Sequence, residues 1–484
     1  MNKSIKLFGI VCFLFLAFNC SKQEEIPVDV EVNDFIWKSL NAYYLYQDQI
    51  TDLSDSRFSS QIELNSYLNG FTATDLFSTL KVATDTISNL VEDYKTLTSP
   101  QLRVVNTHGV EFGLIAEPNH KDNVIGYVHY VLPNSNASTQ NISRGEFFNS
   151  VDGTQLTRDN YQNLLLNTNA NSVTLNMADF NGSVVTSNTK DVVLTKASYN
   201  YPPVFLEKTF TNGTNTIGYI LYNNDFSTNY ISDLNNSFLS FKNQSVNQLV
   251  LDLRYNIGGG SFASTISQIS SMITGQFANQ PLIKEKWNTK AQTWFEANQP
   301  DSLITKFPSK LTSTTLINGL GLTDIYIILN RDGFKGSSAV ELLINSLKPY
   351  INVHIIGNQT RGINTGSITL YNSVDYDSIG KSTNHNYVTQ PIALNFFNKE
   401  DQTYSSGFPP TMQICTAEDI LNLGTLGETT DPLLNRVLNY VNNGTIGVLP
   451  TCNPLNFEFI YNSTSSQQIR DNGVFIRQDL PNTL

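Results

Sequence analysis

The stretch Leu249-Val250-Leu251-Asp252-Leu253-Arg254-Tyr255-Asn256-Ile257-Gly258-Gly259-Gly260-Ser261 decides the architecture of this chain. It opens as a strand of the fully buried type and runs into a glycine turn. A second stretch belongs with it: Gly336-Ser337-Ser338-Ala339-Val340-Glu341, then Ile356-Gly357-Asn358-Gln359-Thr360-Arg361-Gly362-Ile363. Here a loop with Gly333 and Gly336 leads through Ser338 into an apolar helical run.

Working outward, strand and helix patterns alternate. Residues 217–222, 325–329 and 353–356 read as strands, and 339–347 as a helix. Ile231, Leu234, Phe238 and Phe241 have helical spacing, as do Ile266, Ile269 and Ile273. That order predicts an α/β core with a largely parallel sheet over residues 199–440. Residues 20–104 read as a helical N-terminal region. Asn33 or Asp34 is placed to cap a helix with Val32, Ile36, Leu40 and Tyr43 on one face, and a second periodic stretch runs from Leu76 to Tyr94. Residues 105–198 read as short strands and turns. The polar, Asn-rich residues 441–484 suggest no role.

Ser338 admits two readings. Ser338-x-x-Glu341 is a capping-box pattern, which makes the serine an N-cap. Alternatively, a helix start sets unpaired backbone N–H groups, here that of Ala339, beside a hydroxyl, which suits a nucleophile with half an oxyanion hole. Gly258 and Gly259 allow the close backbone approach that the other half needs.

Together these stretches resemble the core of the C-terminal processing (tail-specific) serine peptidases, which use a Ser–Lys dyad. In that family the second stretch runs Ser-Ala-Ser-Ala-Ser-Glu and then Gly-x-x-Thr-x-Gly-Lys. The resemblance places the nucleophile at Ser338, the oxyanion-hole amides at Gly258 and Ala339, and a polar helper at Ser367. It extends to Gln390-Pro391-Ile392 and Gly407-Phe408-Pro409-Pro410. Asp252, Arg254 and Asn256 match it as well, and read as groups that orient the turn. The family's lysine falls on Ile363, which cannot take a proton. Lys335 is the nearest substitute base; His354 and His385 are further candidates, and Arg361 stays protonated. Residues 105–198 resemble a PDZ domain inserted in the peptidase fold. Val110–Ile115, Arg144-Gly145-Glu146 and Val151-Asp152-Gly153 carry that likeness. A loop near Phe112, Gly113 and Leu114 would hold a peptide C-terminus as an added strand. The resemblance implies a serine-type peptidase acting on envelope polypeptides, or a degenerate one that binds peptide C-termini without cutting them.

Composition narrows the remainder. The chain has 484 residues, 40% apolar and 15% charged, and is globular in character. Thirty basic against 42 acidic residues leave a net charge of −12, which argues against a nucleic-acid partner. Neither a phosphate-binding glycine motif nor a His-Glu-x-x-His or Cys-x-x-Cys motif occurs, so no cofactor or metal is expected. Residues 1–19 read as a signal peptide, with Lys3 and Lys6 ahead of an apolar run. The run ends at Cys20 in a stretch that resembles a bacterial lipoprotein cleavage site, which implies a lipidated Cys20 tethering the protein to a bacterial envelope membrane, the outer one, on its periplasmic or surface side; a plain secreted protein cut nearby is the alternative. Cys415 and Cys452 remain, either as two free thiols or as a disulfide contributing about 4 kcal/mol.

Overall fold

The computed structural model describes residues 26–97, 104–166, 169–200, 202–223, 226, 228–256, 263–329, 336–413, 420–444, 457–463 and 474–475. Its centre is a six-stranded sheet. The strands run in the order Val204–Asn212, Asn215–Tyr222, Gln248–Asp252, Asp324–Ile328, Asn352–Gly357 and Met412–Gln413. The first pair is antiparallel and every later pairing is parallel. Parallel pairing requires crossovers, and the helices Ile231–Asn243, Ala263–Thr274 and Ser338–Leu347 supply them. Their apolar faces fill one large core, in which Phe238, Phe241, Ile266, Ile273, Leu342 and Leu343 are all fully buried. The fold is thus the α/β type expected.

The N-terminal region packs on that core through the helix Glu31–Tyr43, which buries Ile36, Leu40 and Tyr43. Neither Asn33 nor Asp34 caps it. The N-cap is Val30, while the Asn33 amide donates to the carbonyls of Leu68 and Phe71, and Asp34 pairs with Lys38 at 2.8 Å. The periodic stretch from Leu76 to Tyr94 is helical only to Thr79. Beyond it, the Asp85 carboxylate accepts the N–H groups of Ile87 and Ser88, bending the chain. The strand Asn89–Val91 then pairs with Val388–Gln390.

Two further sheets flank the core. One has the order Ile304–Lys306, Pro281–Trp287, Ile392–Asn398, Thr365–Ser367, Val474–Phe475. The other is a β-domain built on Val110–Glu117, His120–Val131, Phe147–Val151, Ser172–Phe180 and Val185–Thr195. Its outermost strand is Phe459–Asn462, which pairs antiparallel with Val110–Glu117. The tail to which the sequence suggested no role therefore supplies a strand to each flanking sheet. Cys20, Cys415 and Cys452 lie outside the described residues, as does the signal-peptide stretch.

Candidate active site

The site is built where the two decisive stretches meet. Three consecutive residues after the strand Gln248–Asp252 reach in three directions. Arg254 is fully buried, with Nη2 2.6 Å from Asp252 and Nη1 2.8 Å from Asp431, and the Tyr219 hydroxyl donates to Asp252 at 2.9 Å. Desolvated charges are tolerable only when matched in this way. Tyr255 turns toward the β-domain, where Arg144 donates to its hydroxyl at 2.6 Å and its ring lies 4.7 Å from that of Tyr130. Asn256 turns toward the helix Ser338–Leu347, and its Oδ1 accepts from the Ser337 hydroxyl at 3.1 Å. One short turn thus fixes the sheet, the β-domain and the start of that helix against each other.

At the helix start, the N-cap is Ser337 and not Ser338. The Ser337 hydroxyl accepts from the Val340 N–H, and the first intrahelical bond runs from the Glu341 N–H to the Ser337 carbonyl. Ser338 occupies the first helical position. The amides of Ser338 and Ala339 precede that first bond, so helix geometry leaves them to other acceptors. The capping task is done by its neighbour, which removes the ground for reading Ser338 as a cap. Its residue exposure is 2%.

Glu341 does not complete a capping box. It lies in a run of fully buried side chains, Val340, Leu342, Leu343 and Ile344 among them, and its carboxylate holds the loop opposite. Oε1 accepts from the Gly362 N–H at 2.6 Å and Oε2 from the Ile363 N–H at 2.8 Å. Burial pushes this carboxyl up from its ordinary value, while hydrogen bonds from Thr360, Gly362 and Ile363 and the charge of Arg361 pull it back. The loop is braced from its other side by the Gly407-Phe408 segment. The Phe408 N–H donates to the Thr360 hydroxyl at 2.8 Å, and the Thr360 N–H to the Phe408 carbonyl at 3.1 Å. Gly362 has φ +89°, and a Cβ there would meet the Ser405 carbonyl at 2.4 Å, so only glycine fits.

Two family models match the chain. The one described as Peptidase S41 N-terminal domain covers residues 31–89, and the one described as Peptidase family S41 covers residues 216–399; together they span half of the chain. The chain belongs to peptidase family S41. Ser338, Glu341 and Ile363 all lie within the second match, whereas the β-domain and the tail lie outside both. Among solved structures, the S41 chain is similar to a protein assigned as an S41 protease of Bacteroides fragilis. The identity is 21% and the TM-score 0.64, over 85% of this chain and 97% of that one. A fainter likeness, with TM-score 0.43 and 17% identity over 84% of this chain and 99% of the other, is to a photosystem II D1 C-terminal processing protease. No curated protein sequence matches the chain.

In this S41 chain the expected site residues are brought together in part. Ser338 and Ala339 open the helix whose Glu341 holds the N–H of Ile363, and Ile363 is half-buried. Gly258 and Lys335 lie outside the described residues. His354 bonds Asp324 at 3.2 Å and stacks on Tyr326 at 4.7 Å. The register sets His354 opposite Tyr326 in the middle of the sheet, with its ring engaged by Asp324 at the start of that strand. His385 bonds Asn372 and the Tyr387 N–H, and its ring faces Phe35 of the N-terminal helix. Phe112, Gly113 and Leu114 do not form a loop. They lie inside the strand Val110–Glu117, paired on both edges, because Gly113 accommodates the Tyr127 ring: a Cβ there would meet that ring at 2.5 Å.

The grip of Glu341 on residue 363 was missed from sequence. A signal existed: Glu341 interrupts the apolar run Ala339–Ile344, and an acidic residue set in such a run has to find buried donors. Ser367 is buried in the strand Thr365–Ser367.

Proposed function

We propose that this S41 peptidase is of the serine type, cleaving polypeptides by acyl transfer at Ser338, and that Ile363 holds its rate well below that of a site with a lysine there. The observation that carries this reading is the placement of Ser338. It opens a helix whose capping is done by Ser337, and Ser337 is tied to Asn256 in the glycine-turn stretch. In the reaction the Ser338 oxygen bonds the substrate carbonyl carbon and gives up its proton. The carbonyl oxygen takes negative charge beside the Ala339 and Gly258 amides, and the amide C–N bond breaks with the proton going to the leaving amine. Water then hydrolyses the ester. An alkyl side chain at 363 accepts no proton, and loss of a general base costs roughly 10²–10⁴ in rate.

Polypeptide C-termini are the substrate class that the family resemblance supports, with the β-domain acting as a PDZ-like reader. Lipid on Cys20 would hold the protein at a bacterial envelope, where such chains pass. Peptide cleavage by the purified chain, followed by mass spectrometry beside Ser338→Ala, tests the assignment. Slow cleavage lost in Ser338→Ala is the expected result, and cleavage that survives the substitution would overturn it. A second reading, a peptide binder that cuts nothing, is favoured by Ile363 itself. Its mark is the absence of products from wild type together with saturable peptide binding.

A further inference from the structure

The strand Val110–Glu117 is the one on which a peptide would add, yet its outer edge is taken by the chain's own Phe459–Asn462. The register pairs Phe459 with Ile115, Tyr461 with Leu114 and Asn462 with Gly113. The Ala116 N–H donates to the Glu458 carbonyl at 2.9 Å, and the Phe112 N–H to the Ser463 hydroxyl at 2.8 Å. That hydroxyl in turn donates to the Glu111 carboxyl, which is buried. Alternate residues of the acceptor strand face opposite ways, and both faces are used. Phe457 is buried with Ile115, Ile125, Tyr127 and Phe147. Tyr461 packs with the cluster of Leu114, Val128 and Phe148, its ring 5.9 Å from that of Phe112. Outside the groove, Glu458 pairs with Arg158 at 2.6 Å.

This docking is shallow along its middle. All four residues of Phe459–Asn462 are only half-buried, whereas six of the eight in Val110–Glu117 are buried. Phe457 and Ser463 at the two ends of the segment are buried, so its release uncovers part of the cluster around Ile115, but a strand held on one edge with a half-covered middle can leave without unmaking the sheet beneath it. Further along the same tail, Val474–Phe475 pairs with Gly366 and Ser367, in the strand just beyond Ile363.

We infer that the outer edge of Val110–Glu117 is a strand-binding site occupied by a resident ligand, the chain's own residues 457–463, which a polypeptide substrate must displace. The resident shows what the groove selects. A competing segment is extended, has aromatic side chains where Phe457 and Tyr461 sit, and presents a hydroxyl that can both accept from the Phe112 N–H and donate to Glu111. Carboxylate capture is therefore not the only way into this groove, since the resident enters with an internal segment of chain.

The inference rests on the reading that polypeptides enter at this edge, and its binding test needs no cleavage. The probe is a fluorescent peptide with the sequence Phe-Glu-Phe-Ile-Tyr-Asn-Ser, and the protein is the full chain, as wild type and as the double variant Tyr461→Ala, Ser463→Val. A site that is mostly occupied has its apparent affinity lowered by the unoccupied fraction. The variant is therefore expected to bind the probe at least about tenfold more tightly than wild type. Equal affinity, or no binding to a variant with wild-type circular dichroism, would overturn the inference. Should the variant not fold, hydrogen exchange on wild type decides. At saturating peptide, amides of 457–463 are expected to lose protection while those of 110–117 keep it; unchanged protection of 457–463 would sink the inference. Cleavage of a substrate with 457–463 still protected would refute displacement and leave the peptidase reading standing.

Discussion

The Ile363 N–H donates to Glu341 Oε2 at 2.8 Å, so the position from which the family's lysine would act is pinned one turn into the helix that Ser338 opens. The backbone at 363 needs no side chain to be held there. A lysine introduced at that position would start from a Cα fixed by Glu341, and its reach would be set by its own four-carbon stem.

Glu341→Ala should expose this dependence. It strips acceptors from the partly buried N–H groups of Gly362 and Ile363, at about 1–3 kcal/mol each. The expected outcome is a melting temperature lower by roughly 2–6 °C, since an unfolding entropy of about 2.1 cal/mol/K per residue makes 1 kcal/mol worth about 1 °C in a chain of 484 residues. An unchanged melting temperature would mean that the loop is held by the Gly407–Phe408 brace alone.

Gly362→Ala probes that brace from within. The new methyl has to enter space held by the Ser405 carbonyl, at a φ that side chains rarely adopt. A loss of about 1–3 kcal/mol by chemical denaturation is expected. A neutral effect would show that the loop has room to shift.

Arg254→Met tests the buried ionic turn. It leaves Asp252 and Asp431 buried without their cation, a situation that costs about 3–5 kcal/mol. Asp431 also caps the helix Pro432–Asn443, so the cap is expected to loosen as well. Denaturant titration provides the measurement, and a change below about 1 kcal/mol would contradict the role given to this network.

The contribution of Glu111 to stability should fall as pH rises between about 4.5 and 7, as should that of Glu285, which burial also raises to about 7, while His108, which burial lowers from 6.5 to about 4, acts the other way between those two values. Burial pushes the Glu111 carboxyl up from 4.5 to about 7, against a small opposite pull from the Ser463 hydroxyl. Below 4.5 both folded and unfolded states hold the proton and Glu111 contributes no penalty. Between 4.5 and 7 the unfolded chain releases it while the folded chain does not, so unfolding is favoured progressively; above 7 the contribution is flat. Carboxyls held below their ordinary values, such as Glu31 and Asp324, act in the opposite direction at lower pH. Glu111→Gln should remove the Glu111 share of the slope between pH 5 and 7 in thermal melts, leaving the shares of Glu285 and His108. A slope unaltered by that substitution would assign it to other groups.

The sequence made much of this legible because local pattern and global position agree in the core. Leu249 to Leu253 has no polar face, and it became the sheet's third strand. The spacing of Ile231, Leu234, Phe238 and Phe241 specified a helix face, and all four are buried. Sequence pattern failed where the decisive partner is remote. Asn33 and Asp34 look like caps because their side chains suit that task, but both found partners in the helix Gln61–Leu68. The alternating Phe457, Phe459 and Tyr461 carried a strand signal within a polar tail, and nothing local to them points to Val110–Glu117, some 350 residues away in sequence. Ser337 and Ser338 offer the same hydroxyl, and only the bond to Asn256 distinguishes the cap from the residue that opens the helix.

The most direct measurement is the cleavage rate of an unstructured peptide by wild type, Ile363→Lys, and Ile363→Lys with Ser338→Ala. The expected result is a rise of at least about 10²-fold on introducing the lysine, abolished when Ser338 is removed. A wild-type rate that Ile363→Lys does not increase, or cleavage that persists without Ser338, would contradict the assignment of Ser338 as nucleophile and of position 363 as its missing base.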